Sequence, residues 1–311
     1  MSQARILPYD DDAIDEAARL IAAGRPVAMP TETVYGLAAD ATRGDAVAAI
    51  YAAKGRPSFN PLIVHVLDLT AADAIADLPV PARKLAEAFW PGPLTLVAPL
   101  RPGSPIAALA TAGLPTIALR SPAHPAMRDL LRTSGKPLAA PSANASGTIS
   151  PTRAEHVARS LGAAIDLIVD AGPTAVGLES TIVTVTDGGL HLLRPGPITA
   201  EQLADVTGLP VRADTPDTIT APGQLAQHYA PSKPVRLNAT EKRQDEWLIG
   251  FGAVAGDASL SPSGDTTEAA ARLFDLLHQA DAVAAARIAV APVPATGLGV
   301  AINDRLRRAA A

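Results

Sequence analysis

The 311-residue sequence has no cysteine. That excludes disulfides, iron–sulfur clusters, thiolate catalysis and zinc sites with sulfur ligands, and it is compatible with a reducing compartment. Aromatic residues are scarce as well, at 3%, too few for the stacking platforms of a single-stranded nucleic-acid binder. Positive charge is not in excess: 26 Lys and Arg stand against 31 Asp and Glu, a net charge of −5, whereas a chain wrapped by a nucleic-acid backbone carries a basic surplus. Any anion site must be local. Long apolar runs are missing too. The stretch from Ile288 to Ile302 falls short of the ~20 residues of a membrane span and is broken by Pro292, Pro294, Gly297 and Gly299. The acidic segment Met1 to Leu20 lacks the basic and apolar regions of a secretory signal, so a cytoplasmic protein is expected.

What is present is a globular composition, with 48% hydrophobic and 18% charged residues. At roughly 100–200 residues per domain, the length predicts two domains. The 23 Gly and 29 Pro fall between short apolar runs and predict many tight turns. Asp11 and Asp12 can cap a helix carrying Ile14, Ala17, Ala18 and Ile21 on one face, with a strand at Val27 to Met29 after it. Helices near 45–53 and 82–89 then alternate with strands near 62–67, 94–98, 116–119 and 137–140. Thr152 and Glu155 form a capping box that opens another helix. Apolar runs follow at 167–170, 181–185 and 191–193, the last two flanking the hairpin signal Asp187-Gly188-Gly189. Periodicity lapses from about 210 to 233, as in a linker. Beyond it, a strand at 247–252, a helix from Asp265 with Glu268 completing its cap, a strand at 288–291 and a helix from Asn303 to Ala311 make a small α/β unit. The domains expected are 1–209, a linker at 210–233, and 234–311.

Common nucleotide motifs are missing. Gly135-Lys136-Pro137 lacks the flanking residues of a P-loop, and Gly297-Leu298-Gly299 runs on to Ile302 where a dinucleotide fold wants Gly or Ala. Neither a metalloprotease helix nor a nucleophile elbow is present. Instead, polar residues gather at the ends of apolar runs. Thr33, just past the strand ending at Met29, can bind a substrate hydroxyl or amine, or simply satisfy its turn. Lys54 and Arg56 flank Gly55, and Asn60 follows in a proline-stiffened loop. This is a phosphate cradle or, more plainly, a solvated pair at a helix end. His65 lies in a run too apolar for a surface strand and faces a cleft or a buried partner. Arg120 closes its strand, where a guanidinium suits a carboxylate fork or an ordinary salt bridge. Ser142, Asn144 and Ser146 offer short hydrogen-bonding groups to phosphate or ribose, or make a simple turn. Ser180 opens one hairpin strand and Arg194 closes the other.

Together these segments resemble the YrdC-like family in its longer, two-domain form. The likeness is carried by Pro30 to Gly36, Lys54 to His65, Trp90-Pro91-Gly92-Pro93-Leu94-Thr95, Ser142 to Asn144 and Ser180-Thr181. The longer form is marked by Ala221-Pro222-Gly223, His228-Tyr229-Ala230-Pro231 and the tail from Gly297 to Arg308. Phe59 departs from the pattern, many relatives carrying an acidic residue there. The resemblance implies a YrdC-like mixed-sheet α/β catalytic domain with a smaller, Rossmann-like C-terminal α/β domain. It also implies a nucleotidyltransferase that joins L-threonine, bicarbonate or carbon dioxide, and ATP into L-threonylcarbamoyladenylate, releasing pyrophosphate. The product would pass to the machinery that makes threonylcarbamoyladenosine in tRNA. Carried over by motif, Thr33, His65, Arg120 and Ser180 hold L-threonine. Arg56, Asn60, Thr116, Ser142, Asn144 and Arg194 hold ATP, and Lys54 and Arg56 act on the phosphate charge as catalytic groups. Magnesium is expected with the triphosphate and no protein ligand is assigned to it. His228 and Tyr229 in the linker suggest a lid over the cleft; the alternative is that Tyr229 anchors the linker to the second domain. An RNA-binding module of the same fold is disfavoured by charge and by sparse aromatics. A carbamoyl-transfer relative would bring zinc-binding and acylphosphatase domains.

Overall fold

The computed structural model describes residues 3–57, 59–213 and 228–311. The first part of the chain forms β1 (Arg5–Pro8), α1 (Asp11–Ala22), β2 (Val27–Met29), β3 (Gly36–Asp40), α2 (Gly44–Lys54), β4 (Ile63–His65), α3 (Leu69–Asp73), α4 (Val80–Phe89) and β5 (Leu94–Pro99). It continues through β6 (Thr116–Arg120), α5 (Pro125–Ser134), β7 (Leu138–Ala139), α6 (Ala154–Leu161), β8 (Leu167–Asp170), β9 (Thr181–Thr186), β10 (Gly189–Arg194), α7 (Ala200–Thr207) and β11 (Val211–Arg212). The second part forms β12 (Val235–Arg236), β13 (Glu246–Gly250), β14 (Ala258–Ser259), α8 (Thr266–Ala282), β15 (Arg287–Val290) and α9 (Gly299–Ala309). Among the described residues, eleven strands make one mixed sheet in the order β1-β8-β2-β3-β7-β4-β6-β5-β9-β10-β11. The other four make a parallel sheet in the order β12-β15-β13-β14. This is the expected mixed α/β architecture with a smaller α/β unit. The large sheet runs past residue 209, because β11 pairs with β10. Of the expected linker, 214–227 lie outside the described residues.

The sheet's two faces are covered unequally, and this positions the site. Around β2, alternation sends Ala28 into the main core and Val27 and Met29 into a second core under α1 and α5. Around β4, β6, β5 and β9, the face carrying Val64, Leu119, Leu96 and Val183 is covered by the main core. The opposite face holds only a small apolar cluster of Ile63, Val97, Ala118, Ile182 and Leu193, and the cleft lies over it. Strands β4 and β6 are parallel with His65 abreast of Arg120, while β5 runs antiparallel to β6 and parallel to β9. The C-terminal ends of β4 and β6 therefore meet the N-terminal ends of β5 and β9.

Local capping differs from the sequence pattern in three places. Asp10, not Asp11 or Asp12, caps α1 through the Ala13 amide at 2.8 Å, leaving the other two in the first turn where a helix dipole favours acids. The Thr152–Glu155 capping box does not form. Thr152 is buried, its amide meets His156 Nδ1 at 3.3 Å, and α6 starts at Ala154 behind an uncapped Arg153. Asp265 does cap α8, but Glu268 turns away to accept a hydrogen bond from Ser261.

The two domains share a core: Val34, Ile149 and Leu178 of the first pack into the apolar cluster of the second, beside Phe274 and Tyr229. Around this patch, Arg153 meets Asp275 at 2.9 Å, His156 stacks on His278 with centroids 3.8 Å apart, and His278 Nε2 lies 3.1 Å from the Ser150 carbonyl. At Gly177, with φ +75°, a Cβ would stand 2.5 Å from the Ala270 carbonyl oxygen.

Candidate active site

The cleft narrows to a cavity of ≈ 50 Å³ lined by Thr33, Arg56, His65, Arg120, Ser142, Ser180, Arg194, His228 and Tyr229, among others. At one end the turn after β2 folds on itself: Thr31 Oγ1 donates to the Val34 carbonyl at 2.7 Å and lies 2.9 Å from Thr33 Oγ1. Arg120 reaches this turn from β6. It donates to Thr33 Oγ1 at 2.9 Å, to Glu32 Oε1 at 2.6 Å and to the Gly92 carbonyl at 3.2 Å. A guanidinium carries five N–H groups, so two remain for a ligand, enough for a carboxylate fork. Burial pushes the Glu32 carboxyl up, yet the Arg120 charge and hydrogen bond outweigh it and hold Glu32 below its usual range.

His65 stands beside Arg120, 2% exposed, one ring nitrogen turned to the Leu138 backbone and the other without a partner. Burial first and the Arg120 charge second hold its pKa well below the ordinary value, so the ring is neutral. Ser180, at the mouth of β9, has its hydroxyl 2.7 Å from Thr95 Oγ1. It also accepts from Arg194 Nη2 at 3.1 Å, while Arg194 grips the Ser180 carbonyl at 2.9 and 3.0 Å.

Three cations occupy the other side. Lys54 ends α2, where Gly55 takes the left-handed conformation that turns the chain, and its ammonium donates to the carbonyls of Ser142 and Asn144. Arg56 is braced by the Pro61 and Asn60 carbonyls at 3.0 and 3.4 Å. Burial lowers all three pKa values, those of Arg56 and Arg194 to about 10. Carbonyl oxygens, not carboxylates, hold these charges, so their field points into the cavity. Lys54 and Asn144 sit behind the wall made by Ser142. Asn144 Nδ2 is tied to the Ala145 and Thr148 carbonyls, both at 2.9 Å. Asn60 and Thr116 precede β4 and open β6. They lie at the far end of the exposed sheet face from His65 and Arg120, with about 13 Å of strand between Thr116 and Arg120. Neither lines the small cavity; the apolar cluster of Ile63, Val97 and Ala118 spans the gap.

His228 and Tyr229 close the cavity, their rings 4.1 Å apart and nearly perpendicular. Burial, aided by the nearby cations and opposed by Glu179, takes His228 down to about 3, and burial pushes the Tyr229 phenol up. Among the described residues, most buried polar atoms without a partner belong to this site: Asn60 Oδ1, a His65 ring nitrogen, Asn144 Oδ1, His228 Nδ1 and the Tyr229 hydroxyl. Glu32, Thr95, Glu179 and Arg305 are site residues that motif reading passed over. Glu179 is buried between the Ser150 hydroxyl and Arg305 Nε, the latter at 2.8 Å. Among the described residues no group of three or more His, Cys, Asp or Glu converges as a metal site. No described helix is long and apolar enough to cross a membrane.

Comparison with known proteins matches nearly the whole chain. The Sua5/YciO/YrdC family model, described as telomere recombination, covers residues 19–196, and that of the threonylcarbamoyl-AMP synthase C-terminal domain covers 198–311. The chain is 41% identical to the threonylcarbamoyl-AMP synthase of Bacillus subtilis, over 98% of this chain and 94% of that protein. It is 40% identical to the threonylcarbamoyl-AMP synthase of Pyrococcus abyssi, over 94% and 92%. A crystal structure of P. abyssi Sua5 complexed with L-threonine superposes with a TM-score of 0.90, at 37% identity over 99% of this chain and 98% of that one.

Proposed function

The chain belongs to the Sua5/YciO/YrdC family in its two-domain form, and from that premise we propose that its cleft makes L-threonylcarbamoyladenylate and pyrophosphate from L-threonine, bicarbonate or carbon dioxide, and ATP. The enzyme is thus a nucleotidyltransferase acting in tRNA modification, and its product passes, in the cytoplasm, to the machinery that transfers the threonylcarbamoyl group. The observation that carries this reading is one chamber holding both Arg120, with two N–H groups left, and the cations Arg56 and Arg194, with Lys54 behind Ser142. A carboxylate fits the first set and a polyphosphate the second.

Threonine places its carboxylate on Arg120, with Thr33, His65 and Ser180 around its amine and hydroxyl. ATP lies along the exposed sheet face: its adenine rests over Ile63, Val97 and Ala118 towards Asn60 and Thr116, and its phosphates reach Arg56, Ser142 and Arg194. The carbamate formed on the threonine nitrogen attacks the α-phosphorus, and pyrophosphate leaves in line. Fixed cations stabilise the charge that builds on the phosphate oxygens, and the protein otherwise positions the reactants. Glu32 and Glu179 are each committed to an arginine, so the cleft presents no free carboxylate set to hold magnesium. The ion would arrive on the triphosphate.

A cavity of ≈ 50 Å³ holds one or two waters at about 30 Å³ each, far less than an amino acid with a nucleotide. Entry therefore needs the His228–Tyr229 segment to move as a cover, which shields the hydrolysable adenylate once closed; the Tyr229 ring also anchors that segment to the second domain on Phe274 and Arg305, so both readings of the pair apply in the closed form. Pyrophosphate release measured with each amino acid, with and without bicarbonate, tests the reading. Turnover needs threonine and bicarbonate together; equal turnover with bicarbonate removed, or with any amino acid, refutes it.

A further inference from the structure

His65 closes β4 in register with Arg120 on β6, so the two side chains leave the same face of neighbouring strands about 4.8 Å apart. A neutral imidazole has one N–H and one lone pair; here the N–H is turned to the Leu138 backbone carbonyl on the neighbouring strand, and the lone pair meets no partner although the residue is buried. Of the donors around that lone pair, the two N–H groups Arg120 has left are those a ligand carboxylate takes, and the Tyr229 hydroxyl makes no bond to the ring. Thr33 Oγ1 is engaged by Arg120, Arg120 faces Glu32 and Gly92, and Arg194 is fastened to Ser180. What remains is a donor carried by the ligand. An α-amino acid whose carboxylate lies on Arg120 carries its ammonium one carbon away, within reach of a side chain on the neighbouring strand such as His65.

We propose that His65 is the catalytic base that takes a proton from the ammonium of bound threonine. The inference rests on the threonine site assigned above. The imidazole lone pair removes one proton from R–NH3+, giving R–NH2 and imidazolium. The freed nitrogen pair forms a bond to the carbon of bicarbonate, whose C–OH bond breaks, and the hydroxide leaves with a second amine proton as water. The carbamate R–NH–COO− remains, and the imidazolium returns its proton to solvent.

The charge environment suits this transfer. The groups facing the ring are Arg120 with Glu32 behind it, Arg56 and Arg194, Glu179, and His228 and Tyr229 from the lid. These cations and the burial disfavour an imidazolium, and they act in the same direction on an ammonium in the same chamber. Moving one positive charge between the two groups adds no new desolvation. The threonine carboxylate, once on Arg120, also offsets the charge that most opposes His65 protonation after burial itself. Glu32 and Glu179 are held ionised and His228 is held to about 3, so none of them titrates near neutrality.

The test uses the full-length enzyme with the variants H65Q and H65G. Threonine affinity is read by calorimetry, and turnover by single-turnover pyrophosphate release across pH 5.5 to 9. H65Q, which keeps a hydrogen-bonding amide, should bind threonine within about 3-fold of wild type and lose about 100-fold or more in rate. Its rate should climb with pH across the whole range, as free amine comes only from solution. In H65G, added imidazole should restore turnover in proportion to its free-base fraction. H65Q with a wild-type rate and pH profile overturns the proposal and leaves the threonine site standing. So does a loss of affinity and rate together that imidazole does not rescue. Wild-type protein that fails to bind threonine overturns the site assignment itself. Should H65Q fail to fold, H65N read by the same measurements decides.

Discussion

Arg305, from the second domain, is fully buried against the first. Its Nε donates to Glu179 at 2.8 Å, Nη1 to the Pro195 carbonyl at 3.0 Å and to Asp304 at 2.7 Å, and its guanidinium carbon lies 5.3 Å from the centre of the Tyr229 ring. The perturbation to make is Arg305→Met, which keeps an apolar stem of similar reach and removes every one of those donors. Deleting one member of a buried pair costs about 3–5 kcal/mol, because the other charge is left in a low-dielectric setting. Glu179 would keep the Ser150 hydrogen bond and the field of Arg194, so the lower end, about 3 kcal/mol, is expected. At about 2–4 °C per kcal/mol for a unit of this size, that is a fall of about 6–12 °C in melting temperature. Relieving the stranded carboxylate should return part of the loss. The double variant E179Q/R305M is expected to be about 1–3 kcal/mol less destabilised than the sum of the single variants. Activity should fall as well, since Arg305 holds the backbone of Glu179 and Pro195, the neighbours of Ser180 and Arg194, and KM for both substrates should rise. Calorimetric melting with steady-state pyrophosphate release reads both effects. An R305M melt within 1 °C of wild type, or strictly additive variants, refutes the reasoning.

Arg120→Lys should raise the threonine KM at least 10-fold with ATP KM little changed, because an ammonium cannot reproduce the fork; an unchanged threonine KM contradicts the carboxylate role. Arg56→Ala should lower turnover by about 30- to 1,000-fold, equivalent to about 2–4 kcal/mol of transition-state stabilisation, with a smaller effect on melting. Normal turnover by the folded variant would make Arg56 an ordinary structural cation. The Tyr229 hydroxyl is buried without a protein partner, so Tyr229→Phe should leave stability unchanged or slightly improved while slowing turnover; a clear loss of stability at full activity would exclude a ligand-facing hydroxyl. The domain seam should be acid-sensitive. Burial and His156 lower His278 to about 3, whereas the unfolded chain takes up that proton near 6.5. Stability is therefore lost as pH falls from about 6.5 toward 3, at about 1.4 kcal/mol per pH unit for this group. Urea midpoints across that range should fall less steeply for His278→Gln, and identical slopes would show that the ring is already charged in the fold.

The parts of the fold that could be read from the sequence are those with contrast along the chain. Strands β2, β5, β6, β8 and the β9–β10 hairpin are short aliphatic runs between turn residues, and they lie where that pattern puts them. Strand β3 does not stand out, because Gly36-Leu37-Ala38-Ala39-Asp40 is buried on both faces and has no alternation to detect. Helix α9 starts four residues ahead of the expected Asn303, since Gly299 suggests a break while Asn303 Nδ2 donates to the Val293 and Gly299 carbonyls and ties the first turn down. At the site, Thr33, His65, Arg120, Ser142, Ser180 and Arg194 announce themselves as polar residues ending apolar runs, and the sheet gathers them at one cavity. Glu32 lies inside the Pro30 to Gly36 motif and Glu179 stands directly before Ser180-Thr181. Their importance comes from the arginines they face, Arg120 at 88 residues' distance and Arg305 at 126. Pairings over such separations leave no local signal.

The shared core has a consequence for how this chain can be rebuilt. Val34, Ile149 and Leu178 complete the apolar interior of the C-terminal unit, and Gly177 lets α8 approach closer than any side chain would permit. A cut at the linker therefore separates the sequence without separating the folding units. Expressed alone, residues 234–311 would present an open apolar face and tend to self-associate. Grafted from a relative onto this N-terminal half, they would succeed only if the loops bearing Val34, Ile149 and Gly177-Leu178 travelled with them.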